Sequence, residues 1–303
     1  MAILAIAGIG TAVAAEHHVT INTSCGYVVD MVYDTEIHTT VDMDRAVPDK
    51  GKQYLFFGDA EYRISYRMVF TPDADFSEDK KEATTVLLVG KGKTLFADYY
   101  SLLLDSVGTA LAEKNESANK QMSVLLPIGK KIKFKPWVVN NHTSKGKSLI
   151  QQNFGSSTYR YEDSIKINWI LCDSSMIISG YSCKKATCTY RGRTYSAWYS
   201  PEVPLNAGPY VFNGLPGLIF SISDSNNEFI FQLIGLQKLK DVVPMKLSNR
   251  NIVFVSRTDF RKIEKNLADN PGEALKMTSG KANISPEILK RIQPKPYNPI
   301  EKE

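Results

Sequence analysis

The side chains with the most specific chemistry include four histidines, two of which are adjacent at His17 and His18. Glu16 precedes them and follows a run of small residues that ends at Ala15. If a signal peptidase cleaves after Ala15, the new amine, two backbone amides and the imidazole of the third residue can hold Cu(II) or Ni(II) in a square plane, which suits these ions. The sequence therefore predicts a conditional metal site at Glu16, His17 and His18. Cleavage after Ala14 would remove it and leave two solvated histidines at a disordered terminus.

The four cysteines, Cys25, Cys172, Cys183 and Cys188, allow three complete sets of disulfides. In a continuous strand, Cys183 and Cys188 would lie roughly 16 Å apart at ~3.3 Å per residue. A disulfide needs Cα atoms about 4.4–6.8 Å apart, so this pair requires a turn between the two residues. The spacing also lacks the neighbouring histidine of a common zinc site. We therefore expect structural cysteines, with the pairing left open.

The stretch "GPYVFNGLPGLI" at residues 208–219 has the glycine content of a phosphate-binding loop. Such a loop aims several backbone N–H groups at phosphate oxygens, usually at the start of a helix and with a lysine nearby. Pro209 and Pro216 have no N–H, no Lys or Arg lies between Arg193 and Lys238, and the following "LIFSIS" is typical of a strand. The stretch is therefore predicted to be scaffolding, with glycines that relieve tight turns and prolines that fix the chain direction. The residues assigned to this structural motif are Gly192, Gly208, Pro209, Gly214, Leu215, Pro216 and Gly217.

Two common hydrolase signatures, G-x-S-x-G and H-E-x-x-H, are absent from the sequence. A histidine-based triad can still assemble in space from distant residues, but no pairing stands out. Asp224 is interpreted as a turn residue rather than a catalytic base. No catalytic residue and no cofactor is predicted.

A basic segment precedes the middle of the chain and contains Lys130, Lys131, Lys133, Lys135, Lys145 and Lys147. The alternation of three of these lysines with Ile132 and Phe134 predicts one face of a strand. Lysines on an edge strand discourage aggregation, and the alternative is an acidic ligand such as a lipid phosphate or an anionic glycan. The formal charge of +5 is too small to indicate nucleic acid.

The elements that must position these residues are mostly strands, rich in Val, Ile, Tyr and Thr. Strands are predicted at 26–40, at 164–171, 176–190, 194–199, 218–223 and 228–236, and as a pair within 53–70 that meets at Gly58-Asp59. Turns are predicted at 173–175, 191–193 and 224–227, and polar loops at 73–83 and 115–120. Helices are predicted at 98–114 and 259–267 and from Ser285. The predicted fold is mainly β (α+β), a curved antiparallel sheet or open half-barrel with a few covering helices.

The first fifteen residues are predicted to be a signal peptide, because an apolar stretch ends in small residues. No later apolar run approaches the ~18 residues of a membrane-spanning helix. We therefore expect a periplasmic or secreted protein with a single domain at 16–303. Its proline-rich end, about 293–303, is predicted to be an extended tail.

Residues 177–224 resemble the signature of the GLPGLI family, which is named for the six residues Gly214–Ile219. Upstream, "FADYYSLLLDSV" resembles the family's segment before its sheet, and "KPYNPIE" resembles its usual ending. The resemblance implies an exported bacterial protein with no established activity. It carries over no catalytic residue.

The favoured function is a non-enzymatic, exported cell-envelope protein that binds a peptide, lipid or protein partner through an aromatic-rich concave surface. Aromatic side chains supply large contact area in binding grooves. The candidate contact residues are Tyr181, Trp198, Tyr199, Tyr210 and Phe212. The alternatives are an exported hydrolase with an unrecognised site and a structural partner of an outer-membrane complex.

Overall fold

The structure, a computed structural model, describes residues 54–76, 78–154, 157–272 and 292–302, and the backbone of two earlier strands. These two strands, β1 (His17–Asn22) and β2 (Val28–Tyr33), form an antiparallel pair. Twelve further strands form one open sheet, so the mainly β prediction is confirmed. The predicted signal peptide, Glu16, Cys25 and the predicted helix from Ser285 lie outside the described residues.

The large sheet is antiparallel except at one edge, where β14 pairs with β8 in parallel. Its strands are β3 (Tyr54–Phe70), β4 (Lys81–Gly90), β5 (Thr94–Asp98), β6 (Trp137–Asn140), β7 (Lys147–Phe154), β8 (Ser157–Ser164), β9 (Ile170–Ile178), β10 (Tyr181–Tyr190), β11 (Arg193–Ser200), β12 (Leu218–Asp224), β13 (Phe229–Ser248) and β14 (Ile252–Phe254). They lie in the order β14-β8-β7-β6-β5-β4-β3-β13-β12-β11-β10-β9. The pairing of β3 with β13 therefore joins an early half of the sheet to a late half.

Three helices accompany the sheet in the described part of the chain: α1 (Tyr99–Glu113), α2 (Ala118–Gly129) and α3 (Arg257–Asp269). The predictions of α1 and α3 are confirmed, and Phe260 of α3 is buried as expected. No helix in these ranges is long and apolar enough to cross a bilayer.

The turn at Arg191-Gly192 is confirmed and links β10 to β11. Both residues have positive φ, 47° and 76°, as a two-residue hairpin turn of the favoured hand requires. The turn predicted at residues 173–175 is wrong, because β9 runs through it. The chain instead reverses at Ser179-Gly180, where Gly180 readily adopts a φ of 85°. Residues 172–174 are accommodated at a register shift between β9 and β10, and Ser175 pairs with Lys184.

Within the predicted range 53–70, the described residues 54–70 form one long strand, β3, rather than the predicted pair. Gly58, with φ 98°, lets the strand continue instead of turning. Residues 165–169, predicted to belong to a strand, form an irregular connection between β8 and β9. Both errors arise because alternation and a Gly-Asp pair are local signals, whereas strand limits depend on the neighbouring strands.

The alternating lysines do not lie on a strand, which corrects that prediction. Residues 131–136 form an irregular connection from α2 to β6. The buried carboxylate of Asp98 accepts hydrogen bonds from the backbone N–H groups of Lys133 and Phe134, both at 3.1 Å. Its other oxygen caps α1 by accepting from the N–H of Tyr100 at 2.8 Å. Burial raises the pKa of Asp98, and these hydrogen bonds oppose that shift.

One face of the sheet, here called the plugged face, carries Ile64, Tyr66 and Met68. A chain segment between β11 and β12, the plug (residues 201–217), packs against this face. The Tyr66 hydroxyl donates to the carbonyl of Ile219 at 2.7 Å, and the side chain of Asn140 donates to the carbonyl of Tyr210 at 2.9 Å. The buried plug residues are Val203, Ala207, Tyr210, Val211, Phe212 and Leu215. The protein's own chain therefore fills this side of the sheet.

The opposite face, here called the helix face, carries a second apolar cluster. Val86, Leu88, Leu95 and Ala97 project from β4 and β5, and Leu102 of α1 packs against them. The sheet is therefore buried on both faces over its middle strands, which explains the near-continuous apolar run of β4.

Candidate functional site: the open sheet edge

The structure corrects part of the predicted aromatic surface. Tyr199, Tyr210 and Phe212 are only 3%, 1% and 0% exposed, so they form core rather than a surface open to a ligand. Phe212 packs against the Tyr195 ring at 4.6 Å between centroids. The reason is that the plug returns Tyr210 and Phe212 onto its own sheet, whereas Tyr199 is a buried residue of β11 itself.

Tyr181 and Trp198 are half-buried and stay close to the surface. The Tyr181 ring lies 5.1 Å from that of Phe220. The ammonium of Lys185 lies 5.9 Å from the Trp198 ring. These two aromatic residues remain the accessible part of the predicted surface.

The N-terminal metal prediction at Glu16, His17 and His18 concerns side chains outside the described residues. Across residues 54–302, where described, no group of three or more His, Cys, Asp and Glu side chains could hold a metal ion. Cys172, Cys183 and Cys188 are free thiols, and burial raises the pKa of Cys188 to about 12. Cys188 is therefore a core residue rather than a nucleophile.

The chain end is fastened by a buried ionic network around Glu301, which is 2% exposed. One carboxylate oxygen accepts from the Tyr210 hydroxyl at 2.6 Å. The other lies 2.8 Å from Arg257 Nε and 3.1 Å from Arg261 Nη2. Burial alone would raise the pKa of Glu301, but Arg261, Tyr210 and Arg257 together hold it below its usual value.

A second buried network holds the preceding residues of the same segment, here called the C-terminal strap (residues 297–302). Arg193 donates to Asp224 at 3.0 Å, to Glu228 at 2.6 Å and to the carbonyl of Pro299 at 2.8 Å. The Tyr195 hydroxyl donates to the carbonyl of Ile300 at 3.0 Å. Asp224, interpreted from sequence as a turn residue, thus also pairs with a buried cation. Both networks pair each buried cation with carboxylates, as structural networks do.

The sheet has two terminal strands of very different character. β14 is only three residues long, whereas β9 has nine. Proteins usually protect an edge with short strands, lysines or prolines. β9, "ILCDSSMII", contains none of these protecting residues and carries a single charge, Asp173.

Large apolar side chains are exposed along β9. The exposed fractions are 68% for Ile170, 60% for Leu171, 45% for Met176 and 67% for Ile177. Leu171 and Met176 pair with the buried Ala186 and Cys183, so they lie on the plugged face. Their neighbours Ile170 and Ile177 lie on the opposite face because side chains alternate along a strand.

Sequence reasoning missed this edge because it placed a turn within β9. A signal was present, since five large apolar residues flank the stretch 172–175 without any lysine or proline. The sequence does not indicate that β9 is a terminal strand of the sheet.

Residues 190–221 match the model of a family described as "Protein of unknown function (Porph_ging)". This range contains the six residues Gly214–Ile219 and covers a short part of the chain. No curated protein matches. The GLPGLI name therefore remains a resemblance.

Among solved structures, the chain is similar to PNGF-II in two crystal forms, "Structure of PNGF-II in P21 space group" and "Structure of PNGF-II in C2 space group". Each is 15% identical, with a TM-score of 0.45, and the matches cover 67% and 68% of this chain. They cover 33% and 32% of the matched chains, so this chain spans about a third of their length. Nothing about fold or function is inferred from a likeness of this size.

Proposed function

We propose that this chain is an exported, non-enzymatic binding protein of the cell envelope that takes an extended peptide segment of another protein at β9. The observation that carries the proposal is the long edge strand that contains neither lysine nor proline and exposes apolar side chains on both faces. An extended peptide that adds a strand satisfies the edge backbone groups and covers such side chains above and below the sheet.

The path of the chain supports a strongly curved sheet, the open half-barrel expected from the sequence. β8 and β9 lie ten strand positions apart, which in a flat sheet is roughly 48 Å at ~4.8 Å per strand. Residues 165–169 connect them and reach at most roughly 20 Å. The connection crosses the plug, where the indole of Trp169 donates to the carbonyl of Asn213 at 2.8 Å.

This curvature determines where a partner has access. The plug fills the inner side of the curve, so a ligand that entered there would have to displace buried aromatic residues. The edge strand needs no such displacement. The proposed partner therefore docks at the rim of the half-barrel, next to the half-buried Tyr181, rather than inside it.

The probe for a test is a displayed library of ten-residue peptides that alternate apolar and polar residues. We expect selected peptides to protect the backbone amides of β9 from hydrogen exchange in the full chain. Ile177→Lys should weaken binding at least about tenfold, because a lysine on an edge strand opposes pairing. The matched control is Val242→Lys in β13, a strand inside the sheet, where an apolar side chain is 77% exposed.

Four results would contradict the peptide proposal. The first is a library that yields no binder, and the second is binding that Ile177→Lys leaves unchanged. The third is protection of amides elsewhere while those of β9 exchange as before. Cross-linking of position 177 to the protein's own N-terminal segment would also contradict it, because that edge would then be covered internally.

Export is tested separately by the intact mass of the protein isolated from its own host. A mature chain that begins at Glu16 supports export, and a chain that retains residues 1–15 contradicts it.

Titration of the Glu16 form with Cu(II) should give one equivalent bound at the amine and His18, with a visible absorption band. Replacement of His18 by alanine should abolish that band.

A further inference from the structure

The helix face carries a groove of about 420 Å³ that the sheet edge does not involve. It lies between strands β3, β4 and β13 on one side and the start of α1 with the end of α2 on the other. Its lining consists of Arg67, Glu82, Ala83, Thr84, Tyr100, Lys130, Lys131, Lys133 and Ile234. Four cations and one carboxylate thus surround a single opening, here called the basic groove.

The one carboxylate in the lining is already engaged. Glu82 forms an ion pair with Arg67, and this pair lowers the pKa of Glu82. Arg67 is directed to this side because its neighbours Tyr66 and Met68 point to the plugged face. The excess positive charge of the groove therefore comes from the lysines.

The lysines are held at the groove by the buried carboxylate beneath them. Asp98 accepts from the N–H groups of Lys133 and Phe134 and so fixes the connection that follows α2. The ammonium of Lys131 lies 5.4 Å from the centre of the Tyr100 ring, which belongs to the first turn of α1. No ion pair joins Lys131 or Lys133 to a carboxylate within the described residues. Asp98 thus fixes the backbone at Lys133, while the side chains of Lys131 and Lys133 are exposed.

The groove also has an apolar wall. Ile234 is 57% exposed at a register shift of β13, and Tyr100 belongs to the same lining. A ligand that suits this lining combines a compact anion with a small organic body. The volume matches the lower range of small-molecule sites, about 300–1,000 Å³.

We propose that the basic groove binds a phosphate ester, with Lys131 and Lys133 as the ligands of the phosphate and with Tyr100 and Ile234 against the organic part. Ammonium groups bind phosphate as point charges through short, charge-assisted hydrogen bonds. The ion pair with Arg67 offsets the negative charge of Glu82 in the lining. This inference does not depend on peptide binding at β9.

The test uses the full mature chain and two probes, which distinguish a free phosphate ester from a lipid headgroup. The first is glycerol phosphate, followed by titration calorimetry. The second is vesicles of equal parts phosphatidylglycerol and phosphatidylcholine, compared with phosphatidylcholine alone by co-sedimentation. Binding of glycerol phosphate indicates a soluble ligand, and binding of the anionic vesicles alone indicates a lipid.

The double variant Lys131→Gln/Lys133→Gln should weaken binding at least about tenfold. A hydrogen bond from a charged ammonium contributes more to the free energy of binding than a neutral hydrogen bond does. The matched control is Lys145→Gln/Lys147→Gln, which removes the same charge from the same basic segment outside the groove. A second variant, Ile234→Glu, places a repelling carboxylate in the groove and should weaken binding without removal of a lysine. Failure of both probes to bind, or equal losses in the two double variants, would overturn the proposal.

Discussion

At the scale of single residues, Glu301 should matter most for stability. Glu301→Gln keeps the shape of the side chain but leaves Arg257 and Arg261 with less compensation for their buried charge. Loss of one partner from a buried pair costs about 3–5 kcal/mol, so the free energy of unfolding in urea should fall by that amount. The control is Glu82→Gln, which removes an exposed pair with Arg67 and should change stability little. Equal effects of the two variants would show that the strap is not held by its charge.

The same networks predict how stability depends on pH. Burial would raise the pKa of Glu228, but hydrogen bonds from Arg193, Asn298 and Asn226 lower it to about 2 from an ordinary 4.5. The pKa of Glu301 is also lowered. As the pH falls, the unfolded chain takes up protons at these two carboxylates before the folded protein does. Their contribution to the free energy of unfolding is therefore complete above about pH 4.5 and is lost as the pH falls toward 2.

Urea unfolding at a series of pH values from 7 to 3 checks this dependence. The wild-type free energy of unfolding should decline below about pH 4.5, and Glu228→Gln should decline less steeply because its side chain cannot be protonated. Parallel curves for the two proteins would contradict the assignment to Glu228.

At the scale of elements, the plug depends on glycine at a close approach. A Cβ atom at Gly217 would lie 2.1 Å from the carbonyl oxygen of Ser200, and φ there is 148°. At Gly214, with φ 98°, the nearest atom would lie at 3.7 Å. Both alanine variants are strained by φ, but only Gly217→Ala must also move the backbone. Gly217→Ala should therefore lower the free energy of unfolding by about 1–3 kcal/mol more than Gly214→Ala, as measured by urea denaturation. A larger effect at Gly214 would contradict this account of the plug.

Elements whose signals are local could be predicted from the sequence. The helix α1 has apolar residues at helical spacing after Asp98, and the turn Arg191-Gly192 has a glycine between two strand patterns. The helix α2 was missed because a polar stretch at 115–120 and the internal Pro127 both argue against a helix. The lysine alternation gave a false strand, because Asp98, far away in sequence, takes the backbone N–H groups that a strand neighbour would need.

At the scale of the whole molecule, the connectivity of the sheet could not be predicted. Phe70 pairs with Phe229, and Tyr54 pairs with Ser248, across most of the described chain. No local sequence pattern specifies that β3 pairs with β13, since any apolar strand could pair with either of them. The insertion of Glu301 into a buried network was equally hidden, because a proline-rich ending is typical of an exposed tail. The sequence also predicts a surface for the aromatic residues of the plug, because their burial depends on contacts with strands that are distant in sequence.

The long pairing of β3 with β13 predicts that the described chain unfolds as one unit. Trp137 lies in the early half of the sheet and Trp198 in the late half. The third tryptophan of the chain, Trp169, must also be replaced. Variants that keep Trp137 or Trp198 as their single tryptophan should each give a fluorescence midpoint in urea that coincides with the midpoint from circular dichroism. Separate midpoints for the two tryptophans would show that the predicted single domain consists of two units that unfold independently.

The pairing of β3 with β13 also affects how the chain folds during its synthesis. While a ribosome extends the chain, the 17 residues of β3 are complete long before the 20 residues of β13 exist. During that interval the nascent chain presents a bare apolar strand on which neighbouring polypeptides can associate. The hydrogen bonding of β3 along that edge is therefore complete only after β13 has been synthesised.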